Sequence, residues 1–461
     1  MLGFLIGTGI TIGAAWLIIK KYQAHTVLLL AGLLLLGLSP LIAPDNSILF
    51  KDAKSTGWVV FDIFDYVRGS LSFRAAGLGM IIMAAGGFAK YMDHVGATEA
   101  MVTLCIRPLK LLKSPYIVLA LGYIAGQLLN IFIPSAAGLA MLLLVTFFPT
   151  LVRLGVSPAA AAAMIGTTAV LDLGPASGAS NLAARTADLD VATYFASYQL
   201  PASVPAILAI AALTYISARY FDARANHIAQ PEAEADLDTA IADKTPRRAA
   251  PAFYALMPMI PLALTLVFSN LVVSSISVHV VTAMIIGALI GLLCEVFVRR
   301  DTRVVTKGFM VFFDGMGQMF AKIVSLIICA EVFAAGLQTI GMVDFLISTA
   351  QNAGFGIMAM TIIMCLMVMV IAVITGSGNA AFFSFGQLAP GIAGSFGVAP
   401  VAMLLPMQLT AGLARSISPV AGVIIAVSDA GKCTPFEIVK RTALPVIGGI
   451  IVVIVTGVIL E

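Results

Sequence analysis

The chain has 461 residues, 60% hydrophobic and 11% charged, with a formal net charge of +3. Soluble domains carry roughly 45–50% apolar and about 25% charged residues, so a water-soluble globule is excluded and lipid is the expected solvent. No Lys/Arg stripe with interleaved aromatics speaks for nucleic acid as a partner, and five scattered cysteines, with four histidines that form no HExxH or similar motif, give neither a disulfide framework nor a zinc centre.

A bilayer crossing needs roughly 20 apolar residues. The first such run, about 2–19, is followed rather than preceded by Lys20 and Lys21, and is therefore expected to be a retained helix, not a signal peptide. A second crossing is expected at about 25–43. The stretch about 50–72 is amphipathic, with Asp62 and Asp65, and reads as an interfacial helix ahead of a crossing at about 74–92. A surface arm (about 96–113) leads into an apolar stretch, about 116–153, broken at Pro134–Gly138, which is expected to be a re-entrant hairpin. The run about 157–190 is interrupted at Asp172–Gly178 and reads as a broken helix; a crossing at about 199–217 follows. Residues 218–250, with Pro231, an acidic cluster and Lys244 to Arg248, form a hydrophilic linker.

The second half runs through crossings at about 253–275 and 278–298. An interfacial helix follows at about 301–318, with Asp314 and Gln318, then a crossing at about 320–338 and an arm at about 341–353. A hairpin at about 356–396 breaks at Thr375–Asn379, a helix at about 399–429 breaks at Arg415–Gly422, and a last crossing spans about 443–460.

These pieces repeat. Phe88, Ala89, Gly96 and Glu99 match Phe333, Ala334, Gly341 and Asp344 at an offset of 245. Ser135 and Gly155–Pro158 match Ser377 and Gly397–Pro400 at 242, and Leu200–Pro201 match Leu444–Pro445 at 244. With both hairpins entering and leaving on one side, each half has five crossings, an odd number, so the halves are inverted. The expected units are a first repeat, 1–217, the linker, 218–250, and a second repeat, 251–461. Placing both termini outside collects Lys20, Lys21, Arg107, Lys113, Arg153, Lys244, Arg247, Arg248, Arg299, Arg300, Lys432 and Lys440 on the inside. That is the side cytoplasmic loops favour for positive charge.

Backbone exposed at membrane depth must be satisfied by protein, water or ligand. Each hairpin break starts a new half-helix whose free N–H groups suit an anion. The candidate substrate-binding residues are therefore Ser135, Ala136, Ala137 and Gly138 in the first tip, and Gly376, Ser377, Gly378 and Asn379 in the second. Small residues there would otherwise serve close helix packing; their occurrence at repeat-related positions favours binding. Arg415, Ser416 and Ser418 join them, because an arginine fork can bond both oxygens of a carboxylate. Arg415 could instead be a structural partner of Asp172, which stands at a nearly equivalent position. Asp172, with Gly174 and Ser177, forms a candidate site for a coupling Na+ or H+, and a plain counter-ion role stands level with it. Glu331 reads as a buried polar contact outside the site. No catalytic set, cofactor motif or metal cluster is present, so an enzyme is not expected.

Four segments carry a family resemblance: Gly412-Leu413-Ala414-Arg415 with Ser418-Pro419, Thr434 to Thr442, Thr375 to Ala380, and Gly87 to Met92. With the paired hairpins they resemble the anaerobic C4-dicarboxylate carrier family DcuC, within the ion-transporter superfamily. The resemblance implies exchange, uptake or efflux of fumarate, malate, succinate and aspartate across the bacterial inner membrane, by antiport or symport. It also implies a homodimer with a fixed scaffold and a moving, elevator-type transport domain. A same-fold carrier for a monocarboxylate, sugar acid or amino acid is the alternative, with a channel or membrane enzyme behind it.

Overall fold

The computed structural model describes residues 2–44, 46–50, 53–225, 250–269, 272–273, 275–276, 278–352 and 355–459. Most of the expected linker, including Pro231 and Lys244 to Arg248, lies outside the described residues. The rest is helical, as bilayer depth demands of a backbone that must bond to itself. Nine segments among the described residues are long and apolar enough to cross a membrane.

The first half contains α1 (Leu2–Ile19), α2 (Ala24–Ile42), α3 (Val59–Val95), α4 (Ala97–Ile106), α5 (Pro115–Phe132), α6 (Ala136–Thr146) and α7 (Phe148–Arg153). It continues with α8 (Pro158–Gly166), α9 (Gly178–Thr186) and α10 (Val191–Arg224). The second half contains α11 (Ile260–Val267), α12 (Val280–Arg299), α13 (Thr302–Thr339), α14 (Met342–Asn352) and α15 (Ile357–Thr375). It ends with α16 (Gly378–Phe385), α17 (Ala389–Ser395), α18 (Val401–Ala414), α19 (Gly422–Ala430) and α20 (Pro435–Ile459).

Two expectations need correction. The amphipathic stretches at about 50–72 and 301–318 are not separate interfacial helices: residues 59–95 and 302–339 are single helices of 37 and 38 residues. What joins the halves of each is a π-turn, Ala75–Gly79 in α3 and Phe320–Val324 in α13, which inserts a residue without ending the helix. The run at about 253–275 is not one crossing helix either. Residues 252–259 form a tight 3₁₀ helix and only α11 continues it, because Pro258 and Pro261 withhold N–H donors.

The two long helices organise the packing. The second half of α3 lies along the first half of α13, and the second half of α13 along α2. A second group joins α10 to α20 and α5, and α18 to α15 and α20. Within that group Asp222 of α10 is fully buried. It accepts from Arg441 Nη1 on α20 (2.7 Å), Ser157 Oγ (2.6 Å) and Tyr116 Oη (3.2 Å). Arg441, likewise buried, ties the two longest helices of this group together.

A candidate anion site between two helix breaks

The first unwound segment runs between α8 and α9. Its exposed backbone is bonded by side chains rather than by helix. The Asp172 carbonyl accepts from Ser180 Oγ (2.7 Å), Gln408 Nε2 (3.3 Å) and Gln199 Nε2 (3.4 Å). Gly174 N donates to Gln199 Oε1 (2.9 Å), while Asn181 Nδ2 donates to the carbonyls of Pro175 and Ser177, both at 2.7 Å. Tyr194 Oη completes the set by donating to Gln408 Oε1 (2.6 Å). Tyr194 and Gln199 both reach Gln408 because α10 makes a π-turn at Tyr194–Gln199, whose i→i+5 bonding brings residues five apart to one face.

The second break follows α18. Arg415–Ile417 form one 3₁₀ turn, and the Arg415 guanidinium turns back toward the first break. Its Nη2 donates to the Ala169 carbonyl and lies 3.3 Å from Asp172 Oδ1. The two breaks can come this close because Gly412 faces the Val170 carbonyl, where any Cβ would collide. Asp172 holds a left-handed φ of +48°, so this carboxylate is presented by a backbone shape that few residues adopt.

A cavity of about 250 Å³ opens between these breaks and the hairpin tips. At roughly 30 Å³ of liquid volume per water, it has room for a small carboxylate and some solvent. Of the residues singled out from the sequence, Ala136, Ala137, Gly376, Ser377, Gly378, Asn379, Arg415 and Ser416 line it. Ser135, Gly138, Asp172, Gly174, Ser177 and Ser418 do not. Ser135 caps α6 by accepting from Gly138 N (3.1 Å), and Ser177 caps α9 by accepting from Ser180 N (3.3 Å). Ser418 is fully buried and accepts weakly from Val420 N (3.4 Å), and Asp172 stands behind Arg415.

Seven lining residues were not foreseen: Ile165, Gly166 and Ala169 at the end of α8, and Ala421, Gly422, Val423 and Ile424 at the start of α19. Apart from Gly422, which closes the break expected at Arg415–Gly422, no side-chain chemistry marked them. The α19 N-terminus has no side-chain cap, and the N-termini of α6, α16 and α19 all meet this cavity.

Arg415 is the one ionisable residue among those lining the cavity, and three helix N-termini add positive potential, so the site suits an anion. Ser377 Oγ is partly committed, accepting from Ala380 N (3.2 Å), whereas the Asn379 amide has no protein partner among the described residues. Gly376, at φ +73°, ends α15 in a left-handed turn; a Cβ there would stand 2.9 Å from the Ala421 backbone. That close approach places the second hairpin tip directly against the second break. Among the described residues, three buried amide oxygens accept no hydrogen bond: Gln127 Oε1 and Asn130 Oδ1 on α5, and Asn181 Oδ1 on α9. Among the described residues, no group of three or more His, Cys, Asp or Glu side chains could hold a metal ion.

The chain is 38% identical over 451 residues to the anaerobic C4-dicarboxylate transporter DcuC of Escherichia coli K12, covering 98% of this chain and 95% of that protein. It is 36% identical over 456 residues to the probable anaerobic C4-dicarboxylate transporter DcuC of Vibrio cholerae, covering 99% and 97%. In fold it is similar to the crystal structure of the Alcanivorax borkumensis YdaH transporter, with a TM-score of 0.62 at 14% identity over 94% of this chain and 98% of that one. The DcuC family model, described as C4-dicarboxylate anaerobic carrier, matches residues 2–461, and the chain therefore belongs to this family of membrane carriers rather than to any enzyme family.

Proposed function

We propose that this carrier moves C4-dicarboxylates such as fumarate, malate, succinate and aspartate across the bacterial inner membrane, with the cavity between the helix breaks as the binding site. The observation that carries the reading is the convergence of the Arg415 guanidinium, the Asn379 amide and three helix N-termini on one cavity. Arg415 takes one carboxylate in its fork, and the N–H groups at the starts of α16 and α19 take the other.

The chain is organised as two inverted repeats, 1–217 and 251–461, on either side of a cytoplasmic linker, with both termini periplasmic. Support comes from the π-turns of α3 and α13, which start 245 residues apart, the offset already read from the sequence. The hairpins and broken helices form a domain that carries substrate past a scaffold built on α2, α3 and α13, in a homodimer. A coupling Na+ or H+ binds beside Asp172, Gly174 and Ser177. The unpartnered oxygens of Gln127, Asn130 and Asn181 in the same region supply the hard oxygen chemistry such a cation needs.

Counterflow in proteoliposomes with labelled carboxylates tests this reading. Dicarboxylates should exchange and monocarboxylates, sugar acids and other amino acids should not. Exchange confined to one of those other classes would transfer the same cavity to that cargo, and conductance without saturable exchange would overturn the carrier mechanism.

A further inference from the structure

Glu331 takes no part in the anion site, yet it forms an ion pair that joins the two long helices. On α13 it accepts from Arg74 Nε and Nη2, both at 2.8 Å, and from Ser70 Oγ at 2.7 Å. Both side chains are largely withdrawn from the surface, at 16% exposure for Arg74 and 13% for Glu331. Arg74 Nη2 also reaches Gln387 Oε1 (3.4 Å), between α16 and α17 on the returning limb of the second hairpin. Among the described residues, the buried Gln387 Nε2 has no partner.

The matching place in the other long helix is apolar. Arg74 immediately precedes the first π-turn and Met319 the second; Gly86 and Glu331 stand equally far beyond them. The Met319 side chain lies over Gly86, so closely that a Cβ there would collide with it. Two equivalent crossings are thus filled in two ways: methionine over glycine in one, arginine over glutamate in the other. Helix packing needs only the first. The ion pair is an addition, and it sits where the crossing meets the second hairpin.

We propose that Arg74, held by Glu331, is a releasable docking point for the second hairpin, engaged through Gln387 in this conformation and broken when the hairpin moves. The arrangement suits repeated breaking. Arg74 keeps its two bonds to Glu331 on release, so only a neutral amide is given up and no charge is stranded at membrane depth. This inference rests on the proposed movement of the hairpin domain against the scaffold.

The test uses the full chain in proteoliposomes, with a cysteine at Ala380 near the hairpin tip as reporter. Gln387→Leu removes the acceptor. Gln387→Glu offers Arg74 a second carboxylate. The double variant Arg74→Met with Glu331→Gly copies the Met319–Gly86 crossing without leaving an unpaired charge. A hydrogen bond to a charged group corresponds to a shift of about tenfold or more in an equilibrium. Gln387→Leu and the double variant should therefore raise labelling from the opposite face and hydrogen exchange in residues 378–395 by about that factor. Gln387→Glu should lower the maximum exchange rate by a similar factor with KM nearly unchanged. Wild-type rates and labelling in all three variants overturn the docking point, as does a loss of thermal stability that alone accounts for the change. A reporter reached from one face only, in every variant and in the parent, instead overturns the movement of the hairpin on which the inference rests.

Discussion

The Arg415 guanidinium and the Asp172 carboxylate meet at 3.3 Å across the two helix breaks, and the same Arg415 nitrogen donates to the Ala169 carbonyl. Arg415 is thus anchored from behind while its side chain lines the cavity in front. The two roles weighed from sequence, substrate ligand and structural partner, are compatible in one side chain. Arg415→Met or Asp172→Leu alone should destabilise the protein by about 3–5 kcal/mol, since each leaves a buried charge unpaired. The double variant should recover most of that stability but bind no dicarboxylate. Thermal unfolding and substrate binding, measured side by side, check both halves; normal exchange by the double variant would remove Arg415 from the substrate site.

Ser377 and Asn379 should separate in the same pair of measurements. The Asn379 amide is uncommitted, so Asn379→Ala should weaken substrate binding by about 1.5–3 kcal/mol with little change in stability. Ser377 also caps α16, so Ser377→Ala should cost about 1 kcal/mol of stability in addition to any loss of affinity. Equal effects of both substitutions on unfolding would contradict this assignment.

The Tyr194–Gln408–Gln199 network predicts a graded series. Tyr194→Phe removes one donor and should lower stability by about 1 kcal/mol. Gln408→Leu takes the Gln408 donor from the Leu171 carbonyl and the acceptor from Tyr194 Oη, and should cost about 1–3 kcal/mol more. Substrate affinity should fall in the same order, because the segment that presents Asp172 to Arg415 loosens. Thermal unfolding and equilibrium binding across the series provide the check.

His279, just ahead of α12, gives a pH dependence of defined sign. Loss of solvation and, secondly, the nearby Arg185 guanidinium hold its pKa below the ordinary 6.5, while Asp190 opposes them. His279 Nδ1 accepts from Val281 N (3.3 Å), and Nε2 lies 3.4 Å from Arg185 Nη2, so an added proton finds no acceptor in either direction. As pH falls, the unfolded chain takes up its proton first. The contribution is therefore intact above about pH 6.5 and is lost as pH drops through the lower folded value. His279→Asn should reduce the fall in melting temperature between about pH 7 and pH 5; an unchanged acid limb would locate the loss elsewhere.

Much of this was legible in the sequence, for physical reasons. Lipid-facing helices announce themselves by apolar length, and the hairpin tips by Gly, Ser and Asn where an apolar run should continue. Arg415 and Asp172 were visible because charge at membrane depth is costly. The continuity of α3 and α13 was not legible: a π-turn has no hydropathy signature, and the amphipathic half of each helix imitates an interfacial segment. The α8 and α19 contributions to the cavity were hidden because their residues are small or apolar and carry no polar side-chain signal. Glu331 was read only as a buried polar contact, because 257 residues separate it from Arg74 and no local pattern pairs them.

The buried Asp222–Arg441 pair bears on how the protein is made. Its partners lie 219 residues apart, the carboxylate near the end of α10 and the guanidinium near the start of the last helix. At about 5–20 residues per second, synthesis reaches Asp222 roughly 10–45 s before Arg441 exists. Over that interval Asp222 has only Ser157 and Tyr116 to satisfy it, and its burial must wait or be shared with water at the membrane surface. The end of α10 can therefore settle only after α20 emerges, and a chain truncated before Arg441 should be recognised as unfinished by membrane quality control even with every earlier helix inserted.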